Sequence, residues 1–177
     1  HILSLVNGLL DFHRLESGQM EIQNVPFSVR TLFNEIYGSF RPIAEAKGLA
    51  FVLNMKEEGM DRIYSGDPIR LRQIVSNLLS NAVKFTHEGR IVLIVKLSIL
   101  NSQLTITVSD SGVGIPEEEQ EKIFGEFARL SGTEKEEGFG LGLSIAKTII
   151  DAHGAKVSLA SGNENGTVFT CTFKKDK

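Results

Sequence analysis

Two stretches decide how this sequence is read: Gln73-Ile-Val-Ser-Asn77-Leu-Leu-Ser-Asn81-Ala-Val-Lys84-Phe85-Thr86 and, after two strand-like runs, Asp110-Ser-Gly112-Val-Gly114-Ile115-Pro116. At helical spacing the first divides into two faces. Leu71, Ile74, Val75, Leu78, Leu79, Ala82, Val83 and Phe85 form a broad apolar arc, and Asn77, Asn81 and Lys84 lie one turn apart on a polar strip beside it. Asparagine inside a helix costs propensity relative to alanine. A pair of amide oxygens followed by an ammonium suits a Mg²⁺-polyphosphate, because Mg²⁺ takes oxygen ligands and keeps several waters. The plainer reading of the same strip is a solvated helix face.

The second stretch puts a carboxylate, Asp110, at the end of a strand run, followed by alternate glycines. Such a carboxylate accepts hydrogen bonds from an exocyclic amine, and glycines let a flat ring approach the backbone. Asp-Ser-Gly is also ordinary turn chemistry. A third block, Gly138-Phe-Gly140-Leu141-Gly142-Leu143-Ser144-Ile145, opens a further helix. Clustered glycines there offer bare N–H groups and the positive dipole end to phosphates, or else form a flexible hinge. No Gly-Lys-Ser/Thr ending makes it a P-loop, and no strand leads directly into it as a dinucleotide fingerprint requires.

In this order and spacing the blocks resemble the nucleotide-binding domain of sensor histidine kinases of the hybrid type, within the wider GHKL family of topoisomerase, chaperone and mismatch-repair ATPases. Gln73–Thr86 resembles that family's N box, Asp110–Gly114 its first glycine box, Ile123-Phe124-Gly125-Glu126-Phe127 its F box, and Gly138–Gly142 its second glycine box. The resemblance covers nearly the whole chain. It implies a two-layer α/β sandwich (the Bergerat ATP-binding fold), with a mixed, mostly antiparallel sheet and helices on one face. It implies ATP and Mg²⁺ as cofactors. Asp110 would receive the adenine amine, Asn81 helped by Asn77 would orient the metal, Lys84 would touch phosphate, and Gly140–Leu143 would wrap the phosphate chain. Phe85, Gly112, Gly114, Ile115, Phe127, Arg129, Gly138, Leu141 and Gly142 complete the implied nucleotide site. The polar stretch between Phe127 and Gly138 would be the lid, with Arg129 or Lys135 reaching toward the terminal phosphate.

The 177 residues suffice for one domain with a core and an appended element, and 41% hydrophobic with 23% charged residues is ordinary for a globular chain. A formal charge of -3 argues against non-specific nucleic-acid binding. The single cysteine, Cys171, excludes an internal disulfide and a cysteine-based zinc site, and it alternates with Phe169 and Phe173 as a core residue would. No apolar run is long enough to span a bilayer. The expectation is a cytoplasmic domain, with inner-membrane anchoring an option for the parent protein.

Residues 1–17 have the spacing of an amphipathic helix that Gly18 ends. The run Leu9 to Gly18 resembles the end of the second helix of the kinase dimerisation hairpin, which divides the chain into a hairpin remnant, 1–18, and a catalytic ATP-binding domain, 19–177. A short extended piece at Met20–Pro26 precedes a helix over 31–47 capped by Ser28, with Leu32, Ile36, Phe40, Ile43 and Ala44 on one face. Pro42 should end or kink that helix. Strands are expected at Leu49–Met55 and Arg62–Ser65, and the central helix starts at Asp67-Pro68 as N-cap and first turn. A hairpin over Ile91–Leu100 and Leu104–Ser109 follows, then a short acidic helix at Pro116–Lys122. The last elements are a helix at Leu143–His153 and closing strands at Lys156–Ser161 and Gly166–Phe173.

None of the four histidines suits phosphoacceptor duty. His87 sits in a turn, His153 precedes a helix-ending glycine, and His1 and His13 fall in the hairpin helix. By resemblance the phosphoacceptor belongs to a hairpin helix absent from this sequence, so the chain alone should bind ATP-Mg without autophosphorylating. Asn77 stands where ATP-hydrolysing relatives carry glutamate, and an amide cannot act as that general base. The implied function is transfer of the ATP γ-phosphate to a hairpin histidine, for relay to a receiver-domain aspartate. The implied partners are the hairpin of its own or a partner subunit, a response-regulator receiver and a second copy in a homodimer, with no nucleic acid. An ATP-driven conformational switch and a non-catalytic nucleotide-binding module are the alternatives.

Overall fold

The computed structural model describes residues 21–55, 59–98, 100, 102–125, 127, 128, 140–162 and 166–174. Along them run β1 (Val25–Ser28), α1 (Val29–Ala46), β2 (Ala50–Met55), β3 (Ile63–Gly66), α2 (Pro68–Phe85), β4 (Arg90–Ser98), β5 (Gln103–Asp110), α3 (Gly142–Ala152), β6 (Lys156–Ser161) and β7 (Thr167–Phe173). Five strands form one sheet in the order β2-β4-β5-β7-β6, while β1 and β3 pair as a separate antiparallel ribbon. Only β2 and β4 are parallel neighbours within the large sheet. The chain passes between them through β3 and α2, the long connection that parallel pairing requires. Strand β7 enters between β5 and β6, so among the described strands β6 pairs with β7 alone.

Strand alternation sorts the side chains. Phe51, Ile91, Leu93, Val95, Leu104, Ile106, Val108, Phe169, Cys171 and Phe173 are buried on one face. The helices supply Leu32, Phe33, Ile36, Leu71, Ile74, Leu78, Leu79, Ile145 and Ile149 to the same core. The arc expected on the central helix is buried from Leu71 through Ala82, with Val83 and Phe85 half-buried at its end. This is the mixed sheet with helices on one face that the sequence resemblance implied. The 1–18 helix lies outside the described residues.

Local chemistry explains the helix starts. The Ser28 hydroxyl accepts the Thr31 N–H at 3.2 Å, so α1 begins at Val29, just before the expected start. Asp67, 4% exposed, accepts the N–H groups of Ile69 and Arg70 at 3.1 and 3.0 Å on one oxygen. Its other oxygen accepts the Gln23 N–H at 3.1 Å. Three donors that would otherwise be orphaned are thereby satisfied.

Three expectations are corrected. Helix α1 runs through Pro42 to Ala46. The carbonyl four residues back belongs to exposed Gly38, which has open space around its missing side chain, so water can serve it. Ile43 does not share the core face: it is 54% exposed, while Phe33 and Ala44 are fully buried. The acidic helix at Pro116–Lys122 is two separate 3₁₀ turns, Glu117–Glu119 and Lys122–Phe124. The Gln120 amide between them donates to the carbonyls of Ile115 and Ser161, tying the chain down where a helix would have carried it away.

Candidate functional site

Helix α2 is the backbone of the site. Asn77, Asn81 and Lys84 occupy its half-buried strip, and two glycine segments abut it. A side chain at Gly142, the first residue of α3, would lie 3.9 Å from the Asn77 side chain. One at Gly112 would lie 2.6 Å from the Phe85 carbonyl oxygen. Asn77 and Phe85 are roughly 12 Å apart along a helix axis. The two glycine segments therefore bracket the polar strip from its middle to its end.

Asp110 closes β5 beside the second contact. Its Oδ1 accepts the Gly112 N–H at 2.8 Å, and Thr167 is its cross-strand neighbour on β7. Burial raises the carboxyl above the ordinary aspartate value, while the Gly112 and Thr167 N–H groups pull it down. A half-buried carboxylate with remaining acceptor capacity is suited to an N–H donor that arrives with a flat ring.

The loop after Asp110 is locked by close backbone approach. Gly114 has φ +73°, and a Cβ on it would stand 1.9 Å from the Gly162 carbonyl oxygen. Ser161 Oγ accepts the Ile115 N–H and donates to the Gly166 carbonyl, both at 2.8 Å. Gly166 in turn would place a Cβ 2.0 Å from the Asp110 carbonyl oxygen. Only glycine fits this knot.

Gly140 also has a left-handed backbone, φ +71°, and lies against Phe127 and Ala128. Phe127 itself has φ +56° and is 60% exposed, an unusual conformation for a bulky residue. Ile115 and Leu141 are buried and Leu143 half-buried beside these turns. The Lys84 ammonium lies 4.6 Å from the centre of the Phe85 ring. Arg129, Lys135 and Gly138, assigned to the lid and the second glycine box, lie outside the described residues.

Two polar atoms show that the strip suits an added polar group. Asn77 Nδ2 and Thr86 Oγ1 are enclosed yet have no hydrogen-bond partner among the described residues, a costly state unless something completes them. The unsatisfied Asn77 Nδ2 donor fits an acceptor such as a nucleotide's phosphate oxygen. Among the described residues no group of three or more His, Cys, Asp or Glu side chains could hold a metal by itself. A cation at Asn77 and Asn81 would share its shell with phosphate oxygens and water, as Mg²⁺ commonly does.

Thr167, Ser161 and Thr86 were not singled out in the sequence. Thr167 reaches Asp110 through cross-strand register, which local sequence does not specify. The Gly166-Thr167 step at a strand start was the one available signal.

A family profile described as histidine kinase-, DNA gyrase B- and HSP90-like ATPase matches residues 66–177. The signal transduction histidine-protein kinase BarA of Escherichia coli (strain K12) is 35% identical over 174 residues, 96% of this chain and 19% of that protein. The chain spans about a fifth of the length of the curated relatives it matches. Full-length ShkA in complex with AMPPNP superposes with a TM-score of 0.85 at 29% identity, over 98% of this chain and 35% of that one. Histidine kinase ThkA in complex with the response regulator protein TrrA gives a TM-score of 0.74 at 28% identity, over 99% of this chain and 49% of that one.

Proposed function

Because this chain belongs to the histidine kinase-, DNA gyrase B- and HSP90-like ATPase family, as an ATP-binding catalytic domain of the histidine-kinase type, we propose that it holds ATP-Mg along the strip of α2 and serves as the phosphoryl donor of a protein-histidine kinase. The observation that carries this reading is Asp110: a half-buried carboxylate on a glycine loop, at one end of a polar strip that holds the enclosed, unpartnered Nδ2 of Asn77. Asp110 accepts the adenine amine. Asn77 and Asn81 orient the cation, Lys84 faces phosphate, and Gly140, Leu141, Gly142 and Leu143 surround the phosphate chain. ATP supplies the transferable phosphoryl group and Mg²⁺ neutralises its charge.

The chain's own contribution is positioning. Nucleotide chemistry at Asn77 lacks a carboxylate base, so water is not activated there and the phosphoryl group is retained for an external acceptor. The acceptor in this reading is a histidine on a dimerisation hairpin, whose second helix ends at 1–18 ahead of the 19–177 catalytic domain. A receiver aspartate is the later recipient, consistent with the ThkA–TrrA complex. The parent protein would be a homodimer with this domain in the cytoplasm. No helix among the described residues is long and apolar enough to cross a membrane.

Calorimetric titration of AMPPNP, with and without Mg²⁺, into the wild type and Asp110→Asn tests the reading. Wild-type binding should depend on Mg²⁺. The variant should bind about 10- to 150-fold more weakly, the loss of one charge-assisted hydrogen bond of about 1.5–3 kcal/mol. Equal binding by both proteins would remove Asp110 from adenine recognition. Steady ATP hydrolysis would favour the conformational-switch reading instead.

A further inference from the structure

We propose that Lys47 is a positioning residue for the nucleotide site, setting Lys84 through the last turn of α2. The inference rests on the nucleotide reading above. A helix leaves its last four carbonyls without partners in the helix, and those of α2 can be accounted for one by one. The Ala82 carbonyl accepts the Thr86 N–H at 3.1 Å, and the Phe85 carbonyl accepts the Val113 N–H of the glycine loop at 3.4 Å. The remaining two belong to Val83 and Lys84. Both accept from the Lys47 ammonium, at 2.6 and 2.9 Å.

Lys47 comes from a different part of the chain. It is the C-cap residue of α1 and lies upstream of residues 66–177, the span of the family profile. Its ammonium sits at the negative end of the α2 dipole, where a cation is favoured. The turn it holds carries Lys84, and Phe85 of the same turn touches Gly112. Without Lys47 two adjacent carbonyls revert to water at an exposed corner, and the turn frays. Lys84 then loses its fixed place at the end of the polar strip while Asp67 still holds the other end of the helix.

The test is AMPPNP affinity in the 177-residue chain, measured for Lys47→Met, Lys47→Arg, Lys84→Met and the Lys47→Met/Lys84→Met double variant. Lys47→Met should weaken binding roughly three- to tenfold, a range set by cation–dipole and charge-assisted hydrogen bonds at an exposed site. Lys47→Arg, which keeps a multiply donating cation, should restore most of it. The double variant should bind no worse than Lys84→Met alone, because a residue acting through another contributes nothing once that other is gone. Unchanged affinity in Lys47→Met, failure of Lys47→Arg to rescue, or additive losses in the double variant would overturn the proposal. A wild type that does not bind AMPPNP at all would instead overturn the nucleotide reading beneath it.

Discussion

Gly114→Ala isolates the energetic meaning of the knot behind Asp110. A methyl group there would stand 1.9 Å from the Gly162 carbonyl oxygen, when real Cβ contacts essentially never fall below 3.0 Å. One backbone must therefore retreat by about 1 Å, and overpacking of this kind costs about 1–3 kcal/mol. The left-handed φ of +73° adds about 1–2 kcal/mol for a residue with a Cβ. The total, about 2–5 kcal/mol, is a large share of the roughly 5–15 kcal/mol that stabilises an ordinary domain. Gly154→Ala is the matched control. Its φ is +61° with nothing within 4 Å of the added group, so it bears only the conformational cost. Urea denaturation of both variants should place Gly114→Ala about 1–3 kcal/mol below Gly154→Ala. AMPPNP affinity should fall in the first and stay near wild type in the second. Equal destabilisation of the two would show that the backbone contact relaxes freely, and the account of this loop as a rigid support for Asp110 would be wrong.

Asp67→Ala removes the acceptor for three N–H groups and should cost about 2–3 kcal/mol in chemical denaturation. Gln23→Pro removes the N–H that reaches Asp67 Oδ2 while the two capping bonds stay, and should cost about 1 kcal/mol; equal losses would deny Asp67 its capping role. Acidification should act on Asp110 with two opposed signs. Its carboxyl is raised by burial, so the fold holds that proton more tightly than the unfolded chain does. Its contribution to stability therefore improves as pH falls through the raised value. Adenine-nucleotide affinity moves the other way over the same acid window, because the amine is received by the carboxylate. Calorimetry across that window should show the decline in the wild type and a flatter profile in Asp110→Asn; identical profiles would assign the pH dependence elsewhere.

The sequence was most legible where structure is local. Ser28 and Asp67-Pro68 announce their helices through a side-chain oxygen and a ring that the first turn accepts. The β4–β5 and β6–β7 hairpins follow from alternation broken by turn residues. The polar strip on α2 and the glycines that abut it were visible as spacing. Non-local pairing was not. Nothing near Ala50–Met55 says that this strand lies parallel to β4, and nothing near Thr167 says that it faces Asp110. The reach of Lys47 to Val83 and Lys84 is hidden for the same reason. Pro42 misled because its ring is a local rule, whereas the room for it at Gly38 is a property of the surface.

The insertion of β7 between β5 and β6 has a consequence for how such a chain is born. Synthesis delivers Asp110 well before its cross-strand neighbour Thr167, and among the described strands β6 pairs only with β7. A nascent chain halted ahead of β7 would hold the asparagine helix and both glycine turns, with β5 left as an open edge. The proposed nucleotide site is thus finished by β7, which follows every other strand of its sheet in the chain, so holding a nucleotide would report that this sheet has been completed.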